Sequence, residues 1–230
     1  MQDNEFPVNV VAVLGGGGDL GGGLAYRLVR AGYEVVIGSR DAERARSAVE
    51  ALRQRCANMG QSDVKCHGTD NVDAAARGDM VVLAVPYASQ RETLDAVATV
   101  VAGKIVVCAT VPLMPPKVAR VQLPAGGSAG KEAQDQLGEG VHVVSAFQNV
   151  AAAHLREDGP VDCDVLVTGN SVAARSAVIN VAGRCGIVGH HAGPIDNAAA
   201  AEALTSVLIG LNKRYKTHTG IRVTGLSSAN

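Results

Sequence analysis

The sequence has few aromatic residues: no tryptophan, two phenylalanines and four tyrosines among 230 residues. Its core must therefore consist of small and aliphatic side chains packed close to the backbone, aided by 27 glycines. This composition is typical of α/β proteins. Neither sign of charge is in excess, because 21 lysines and arginines face 22 aspartates and glutamates. The balance argues against binding to nucleic acid or to a membrane surface.

Long hydrophobic runs and paired cysteines are also missing. No apolar run reaches the roughly 18 residues that a membrane-spanning helix needs. The first seven residues, which include Asp3 and Glu5, do not resemble a secretory signal. The five cysteines are odd in number and form no C-x-x-C pair, which argues against a disulfide framework and a zinc site. We therefore expect a protein of the reducing cytoplasm that holds no metal ion.

Short β-branched runs alternate with longer segments of helical period along most of the chain. The predicted strands are residues 8–14, 34–37, 64–67, 80–85, 104–109, 142–147, 164–168 and 187–193. The first predicted helix follows the first strand and ends at Gly32. The other clear helices cover residues 41–57, 89–101, 172–184 and 198–211, the last with Asn197 as its N-cap. This order predicts an α/β fold with a Rossmann-type, doubly wound and mostly parallel sheet.

The chain ends in a short helical segment, so we expect residues 1–195 to form the nucleotide-binding domain. Residues 196–230 would then be a C-terminal helix and tail at a dimer interface or a substrate cleft. The alternating pattern breaks at residues 113–140, which contain Pro115, Pro116 and a glycine-rich stretch. We interpret this segment as a mobile excursion and a candidate lid.

A glycine cluster follows the first predicted strand. Residues 15–23 read GGGGDLGGG, and Gly16, Gly18 and Gly21 match the G-x-G-x-x-G pattern between a strand and a helix. In this motif we expect Gly16 to permit a tight turn, Gly18 to let a pyrophosphate approach the backbone, and Gly21 to allow close helix packing. The loop, with Gly17 inside it, therefore predicts a dinucleotide site at the helix N-terminus.

The end of the second predicted strand indicates which dinucleotide binds. NAD-binding proteins place an acidic residue there, and this chain has Gly38 followed by Ser39 and Arg40. A hydroxyl and a guanidinium suit a 2′-phosphate, and Arg44 lies one helical turn further on. We therefore predict NADP, although the two arginines could instead pair with Asp41 and Glu43 as an ordinary charged surface.

We find no acid–base pair, nucleophile motif or metal cluster that would carry the chemistry. Direct hydride transfer between nicotinamide and a second ring requires none, because the cofactors supply the reacting atoms. Small and apolar residues follow two strands at the predicted carboxyl edge of the sheet, where ligands of open α/β folds bind. We expect them to border the rings; they are Ala84, Val85, Pro86 and Ala109.

Several segments together resemble the NADPH-dependent reductases of the 8-hydroxy-5-deazaflavin coenzyme F-420. They are VLGGGGDLGGGLAYRL (13–28), VVIGSR (35–40), LAVPY (83–87), VVSAFQNVAAAHL (143–155), HAGPI (191–195), EALTSVLIGLNKRY (202–215) and GIRVTG (220–225). The resemblance implies a homodimer that exchanges hydride directly between NADP(H) and the deazaflavin, a small-molecule substrate. It departs from the family at Gly17, where relatives have threonine, and at Gln148, where they have histidine.

The resemblance also implies residue roles. Pro86 would border the nicotinamide, and Val150 and Thr205 would lie near the stacked rings. NADP would be held by Gly16, Gly18, Asp19, Leu20, Ser39, Arg40 and Arg44. Two alternatives remain open: an NADP-linked reductase of another ring, such as a pterin or flavin, and a non-catalytic NADP(H)-sensing dimer.

Overall fold

The computed structural model describes residues 6–226, so Asp3 and Glu5 lie outside the described residues. Its strands are β1 (Val10–Leu14), β2 (Glu34–Ser39), β3 (Cys66–Asp70), β4 (Met80–Leu83), β5 (Ile105–Cys108), β6 (His142–Ser145), β7 (Asp164–Gly169) and β8 (Val188–His191). Its helices are α1 (Asp19–Arg30), α2 (Ala42–Asn58), α3 (Asn71–Arg77), α4 (Tyr87–Val97), α5 (Ala129–Leu137), α6 (Ala152–Leu155), α7 (Val172–Arg184) and α8 (Ala198–Tyr215). Short 3₁₀ turns follow α4 and precede α8.

The strands form one sheet in the order β3-β2-β1-β4-β5-β6-β7-β8. Pairing is parallel from β3 to β6 and again between β7 and β8, whereas β6 and β7 are antiparallel. This is the predicted Rossmann-type, mostly parallel α/β fold. The register aligns Leu14, Gly38 and Leu83 where the first strands end, so the loops that follow these strands meet at one edge.

Both faces of the sheet are covered, which explains why β4 and β5 are buried at every residue. One face packs against α1, α2 and α7, with Leu24, Leu52 and Val178 in its core. The other face packs against α3, α4 and α5, with Ala74 and Leu94 in its core. The helices fix the loops at the sheet edge through these two aliphatic cores.

Several local signals are confirmed. Helix α1 ends beside Gly32, whose φ of 88° is the left-handed conformation that glycine favours. Helix α7 has the predicted bounds, and Ser171 caps it by accepting from the Ala174 N–H at 3.1 Å. Asn197 occupies the predicted N-cap position of α8, but its side chain does not cap the helix and instead donates to the Ala192 carbonyl at 2.7 Å.

Two helices were not predicted from the sequence, α3 and α6. Each has fewer than eight residues, so neither shows a repeated helical period. The candidate lid contains no strand between residues 113 and 128, and its only helix is α5. Whether this segment moves stays a prediction, as does the division of the chain at residue 195. No helix within residues 6–226 is long and apolar enough to cross a membrane.

Candidate functional site

The glycine loop between β1 and α1 comes close to its neighbours at several points. A side chain at Gly21 would place its Cβ 2.4 Å from the Gly15 carbonyl oxygen, so only glycine lets α1 approach the loop, as the motif predicted. Gly18 is the N-cap of α1, and its N–H donates to the Gly15 carbonyl at 2.9 Å. No side chain caps this helix start, so the first-turn amides have no capping partner.

The tight turn runs from Gly15 to Gly18 and is closed by the hydrogen bond between them, so Gly16 lies inside it as expected. Gly15 has a φ of 85°, whereas Gly16 is restricted by Ile37, whose Cγ2 would lie 2.9 Å from an added Cβ. Gly17 is different, because its nearest neighbour is the Ala48 Cβ at 3.9 Å. The loop therefore tolerates no side chain at Gly15, Gly16 or Gly21 and has room for one at position 17.

Asp19 and Leu20 open helix α1 on opposite sides. The Leu20 side chain packs against the core, while the exposed Asp19 carboxylate pairs with Arg156. Arg156 is held there because buried Arg27, on α1, donates to the carbonyls of His154 and Leu155 at 2.8 and 3.0 Å. Asp19 thus already has a cationic partner beside the loop.

A cleft of about 570 Å³ joins the glycine loop to the end of β2 and to α2. It is lined by Gly15, Gly17, Gly18, Ser39, Arg44, Ser47 and Ala48. The expected pair Ser39 and Arg44 therefore lies beside the loop. Ser47 is an addition that the sequence analysis missed; it follows Arg44 by three residues on α2, a spacing that puts both on one helix face.

Arg40 points to another neighbour. Its guanidinium lies 3.8 Å from the Glu92 carboxylate on α4, and both side chains are exposed. The alternative pairing is present only in part: Arg44 lies 3.7 Å from Asp41, but Glu43 bonds Arg46 instead. Exposed pairs of this kind contribute about 0 to 1 kcal/mol and leave the arginines available to an anion.

The small and apolar residues do lie at the carboxyl edge of the sheet. Ala84 continues β4 and donates to the Leu14 carbonyl at 2.9 Å, and buried Ala109 donates to the Leu83 carbonyl at 3.0 Å. Val85 is half-buried, and Pro86 is the exposed N-cap of α4. These four residues form a smooth, largely apolar border next to the glycine loop.

The other side of the edge is the turn formed by residues 146–150, which follows β6. Phe147 has a φ of 74°, an uncommon value for a residue with a side chain. The Thr205 hydroxyl, on α8, donates to the Gln148 carbonyl at 2.9 Å, and Asn149 donates to the Ala201 carbonyl at 2.8 Å. Val150, which closes the turn, is buried. Thr205 and Val150 are thus brought together by hydrogen bonds between this turn and α8.

Gln148 belongs to this turn, and its side chain is buried. Its Nε2 donates to the Cys108 carbonyl at 2.9 Å and to the Ser145 hydroxyl at 2.7 Å. Burial raises the pKa of the Cys108 thiol to about 12, so this cysteine is not a thiolate nucleophile. Gln148 therefore fastens the ends of β5 and β6 to the turn.

Glu202 is a buried carboxyl group that the sequence analysis did not select. It is 1 % exposed and accepts hydrogen bonds from the Ala129 and Gly130 N–H groups at 2.7 and 2.9 Å, which start α5. Burial raises its pKa to about 7, against the lowering effect of these two bonds. The sequence does offer one signal that could have identified Glu202, because it is the single acidic residue within the apolar helix α8. Glu202 fixes α8 to α5, the helix within the candidate lid.

No group of three or more histidine, cysteine, aspartate or glutamate side chains in the described part of the chain is arranged to hold a metal ion. The geometry instead offers backbone amides, a cleft lined by Arg44 and two serines, and an apolar border along one edge of the sheet. This arrangement can hold a phosphorylated dinucleotide and a second planar ring without using an ionisable catalytic group.

Comparison with known proteins identifies similar chains. The family model described as "NADP oxidoreductase coenzyme F420-dependent" matches residues 10–112. The chain is 41% identical over 223 residues to the "F420-dependent NADP reductase" of Methanocaldococcus jannaschii, covering 94% of this chain and 98% of that one. The protein of the same name from Methanothermobacter thermautotrophicus is 38% identical, with 94% and 95% covered.

Solved structures agree with this fold. A chain from Arthrobacter sp. fb24 superposes with a TM-score of 0.74 at 28% identity, covering 92% of this chain and 96% of that one. An imine reductase from Myxococcus stipitatus, at 19% identity and a TM-score of 0.58, covers 91% of this chain but only 62% of its own. The latter shares the fold alone and extends well beyond it.

Proposed function

Because the chain belongs to the coenzyme F420-dependent NADP oxidoreductase family, we propose that it transfers a hydride between NADP(H) and the deazaflavin coenzyme. In the direction of NADPH oxidation, a C–H bond of the nicotinamide would break and its electron pair would form a new C–H bond on the deazaflavin. Water would supply the one proton that the reduced deazaflavin also takes up. The enzyme is an NADP-dependent oxidoreductase, and its relatives carry the name of this reaction.

The observation that carries the NADP assignment is the cleft where the glycine loop meets Ser39 and Arg44. A Cβ at Gly21 or Gly15 would fill the space between the loop and its neighbours, so the loop keeps its amides open for a pyrophosphate. Gly38 places no acid at the position where NAD-binding proteins carry one. The residues present therefore fit NADP: Gly16, Gly17, Gly18, Asp19, Leu20 and Gly21 for the pyrophosphate, and Ser39, Arg40 and Arg44 for the 2′-phosphate.

When bound, the nicotinamide supplies or takes up the hydride. Ala84, Val85, Pro86 and Ala109 would border it and exclude water from one side, since this part of the edge is small and apolar. Val150 and Thr205 would position the deazaflavin on the other side. The residues orient two rings, and no side chain needs to take up or release a proton.

The proposal includes a homodimer in the cytoplasm. Three apolar side chains of α8, Val207, Leu211 and Tyr215, are exposed, and so are Met114 and Val121 on the candidate lid. A second copy of the chain would cover such a surface. Sedimentation equilibrium gives the mass directly; a dimer is expected, and a monomer at micromolar concentration would contradict this part of the proposal.

The test of function is NADPH oxidation, followed by its near-ultraviolet absorbance, with oxidised deazaflavin coenzyme, then a flavin, then a pterin. We expect turnover with the deazaflavin and none with the flavin or the pterin. Turnover only with a flavin or a pterin would replace the acceptor, and buried Gln148, where relatives have histidine, is the departure that would explain it. Tight NADPH binding without turnover on any ring would favour the sensing dimer.

A further inference from the structure

An arginine from a distant part of the chain lies beside the start of α1. Arg156 directly follows α6, and its guanidinium forms an ion pair with the Asp19 carboxylate, 137 residues earlier. Asp19 is the first residue of α1, so the guanidinium lies next to the helix start that follows the glycine loop. Both side chains are well exposed, and exposed pairs contribute little to the free energy of unfolding. Stability alone therefore does not explain this position.

Arg156 also lines a cavity of about 520 Å³ together with four glycines of the loop region. They are Gly16, Gly17, Gly18 and Gly22. Gly17 and Gly18 line the neighbouring cleft as well, the one that contains Ser39 and Arg44. The two cavities therefore meet at the glycine loop. An anion held by the amides of this loop would have Arg44 in one of the cavities and Arg156 in the other.

The turn that carries Arg156 is held in place by two other arginines. Buried Arg27 donates to the carbonyls of four residues between 154 and 159. Arg55, on α2, donates to the Arg156 carbonyl. Both arginines bind main-chain atoms of the turn, so they fix its backbone beside α1 and leave the Arg156 guanidinium to the loop. A charged group on a fixed backbone loses less entropy when it binds a ligand.

Two acids follow Arg156 on the same turn, and each has a partner of its own. Asp158 accepts from the Tyr26 hydroxyl at 2.9 Å, and Glu157 lies 3.6 Å from His154. The partner of Arg156 is therefore the acid on α1 and not one of its chain neighbours.

Asp19 creates an electrostatic problem for a dinucleotide. The proposed site holds a pyrophosphate at the start of α1, and the first residue of that helix carries a negative charge. Like charges at such a short separation repel each other and weaken binding. A guanidinium has five N–H donors, more than one carboxylate uses, so Arg156 can neutralise Asp19 and still donate to a second anion.

We propose that Arg156 binds the pyrophosphate of the dinucleotide while it neutralises Asp19. Part of the guanidinium stays on the carboxylate, and its other N–H groups donate to phosphate oxygens. The proposal rests on the NADP site of the proposed function and adds a binding residue to it. Arg156 acts on the pyrophosphate, which NADP and NAD share, whereas Arg44 acts on the 2′-phosphate of NADP. The first arginine therefore sets affinity, and the second sets the choice between the two dinucleotides.

The first test is Arg156→Ala, with dissociation constants measured by calorimetry for NADPH, for NADH and for adenosine 2′-monophosphate, which has no pyrophosphate. We expect NADPH and NADH to bind about tenfold more weakly, because both lose a charge-assisted contact. Their ratio and the affinity for adenosine 2′-monophosphate should stay the same. The matched control is Arg77→Ala, which removes an exposed arginine paired with Glu34 at the start of β2, the strand end remote from the loop. It should leave all three constants unchanged.

The second test adds Asp19→Asn to Arg156→Ala. Removal of the unpaired carboxylate should strengthen NADPH binding several-fold relative to Arg156→Ala, whereas a pair that only joins α6 to α1 would give no such recovery. Arg156→Lys keeps the charge and should bind NADPH within about threefold of the wild-type protein.

Unchanged NADPH affinity in a folded Arg156→Ala, or no recovery on adding Asp19→Asn, overturns the proposal. Circular dichroism reports folding, and if Arg156→Ala does not fold, Arg156→Gln replaces it with the same expected loss. If the wild-type protein binds no NADPH, the proposed function has failed instead.

Discussion

The two sides of the cleft are built in different ways. The glycine-loop side is defined by backbone: at Gly15, Gly16 and Gly21 an added Cβ would lie within 3.0 Å of another atom. The opposite side, the turn of residues 146–150, is defined by side-chain hydrogen bonds with α8: Thr205 donates to the Gln148 carbonyl, and the Asn149 side chain donates to the Ala201 carbonyl. The first side requires that three residues have no side chain, and the second requires particular side chains that form hydrogen bonds.

This difference determines which property a substitution on each side should change. A loop of amides recognises a phosphate whatever the rest of the molecule is, so its sequence is shared by many proteins of this fold. A turn held by hydrogen bonds from a distant helix changes shape when one partner changes. We therefore expect substitutions on the loop side to affect dinucleotide binding, and substitutions on the turn side to affect the second ring and stability.

The largest expected effect is that of Gly18→Val on the loop side. The branched side chain would stand at the N-cap of α1, where the pyrophosphate approaches, so NADPH binding should weaken by about 100-fold or more. Calorimetry measures it, with circular dichroism to confirm folding. Gly183→Ala, in α7 and outside the cleft lining, is the matched control, because no atom lies within 4 Å of its added Cβ. Equal affinity in Gly18→Val would mean that the loop does not hold the pyrophosphate.

The next largest effect on the glycine-loop side is expected for Arg44→Ala, which should separate binding of NADPH from binding of NADH. Loss of a charge-assisted contact to the 2′-phosphate should weaken NADPH by about 1.5 to 3 kcal/mol, or about 10- to 100-fold, and leave NADH nearly unchanged. Arg46→Ala, two residues away and paired with Glu43, should change neither. Equal losses for NADPH and NADH would remove Arg44 from the 2′-phosphate site.

Glu202→Gln tests how the turn side depends on buried side chains. Burial raises the pKa of this carboxyl group from its ordinary 4.5 to about 7 in the folded protein. The folded state therefore binds more protons between these values, and the free energy of unfolding should fall by up to about 3 kcal/mol as pH rises through this window. Chemical unfolding at pH 5 and pH 8 should show a flatter dependence in the variant.

The exposed Glu50, which pairs with Arg53 on α2, supplies the control for that experiment. Glu50→Gln should keep the slope of the wild-type protein between the two pH values. A Glu202→Gln variant with the same slope as well would show that this carboxyl group does not titrate in the window.

The smallest expected effect is that of Thr205→Val on the turn side. The Gln148 carbonyl would lose its 2.9 Å donor, which should lower stability by about 1 kcal/mol. The deazaflavin KM should rise several-fold while NADPH affinity stays the same. Thr205→Ser keeps the hydroxyl and should restore the KM. A selective loss of NADPH affinity would contradict the separation of the two sides.

The sequence predicted the loop side better than the turn side for the same reason. Glycine spacing is a local signal, so the position of the loop and its neighbours Ser39 and Arg44 could be found from the sequence, although the left-handed residue proved to be Gly15. The bonds of Asn149 to Ala201 and of Thr205 to Gln148 join residues more than 50 positions apart. Such contacts have no periodicity, and Val150 and Thr205 were found only through the family resemblance.

Misassigned elements follow the same rule. The bounds of α7 were predicted correctly, since its 13 residues are enough to show a helical period, whereas the seven-residue α3 was missed. The side chain of Asn197 bonds backward because the preceding turn already supplies the helix start. Such short elements can be recognised only from the three-dimensional structure.

The reversal of direction between β6 and β7 has a consequence for how this fold can diversify. Because β7 and β8 run against the other six strands, the loops that leave them at Gly169 and His191 emerge at the edge opposite the glycine loop. Insertions, fusion partners or affinity tags attached to those loops would project away from the reacting rings. That rim gives evolution, and protein engineers, a place to add new parts while the chemistry continues undisturbed.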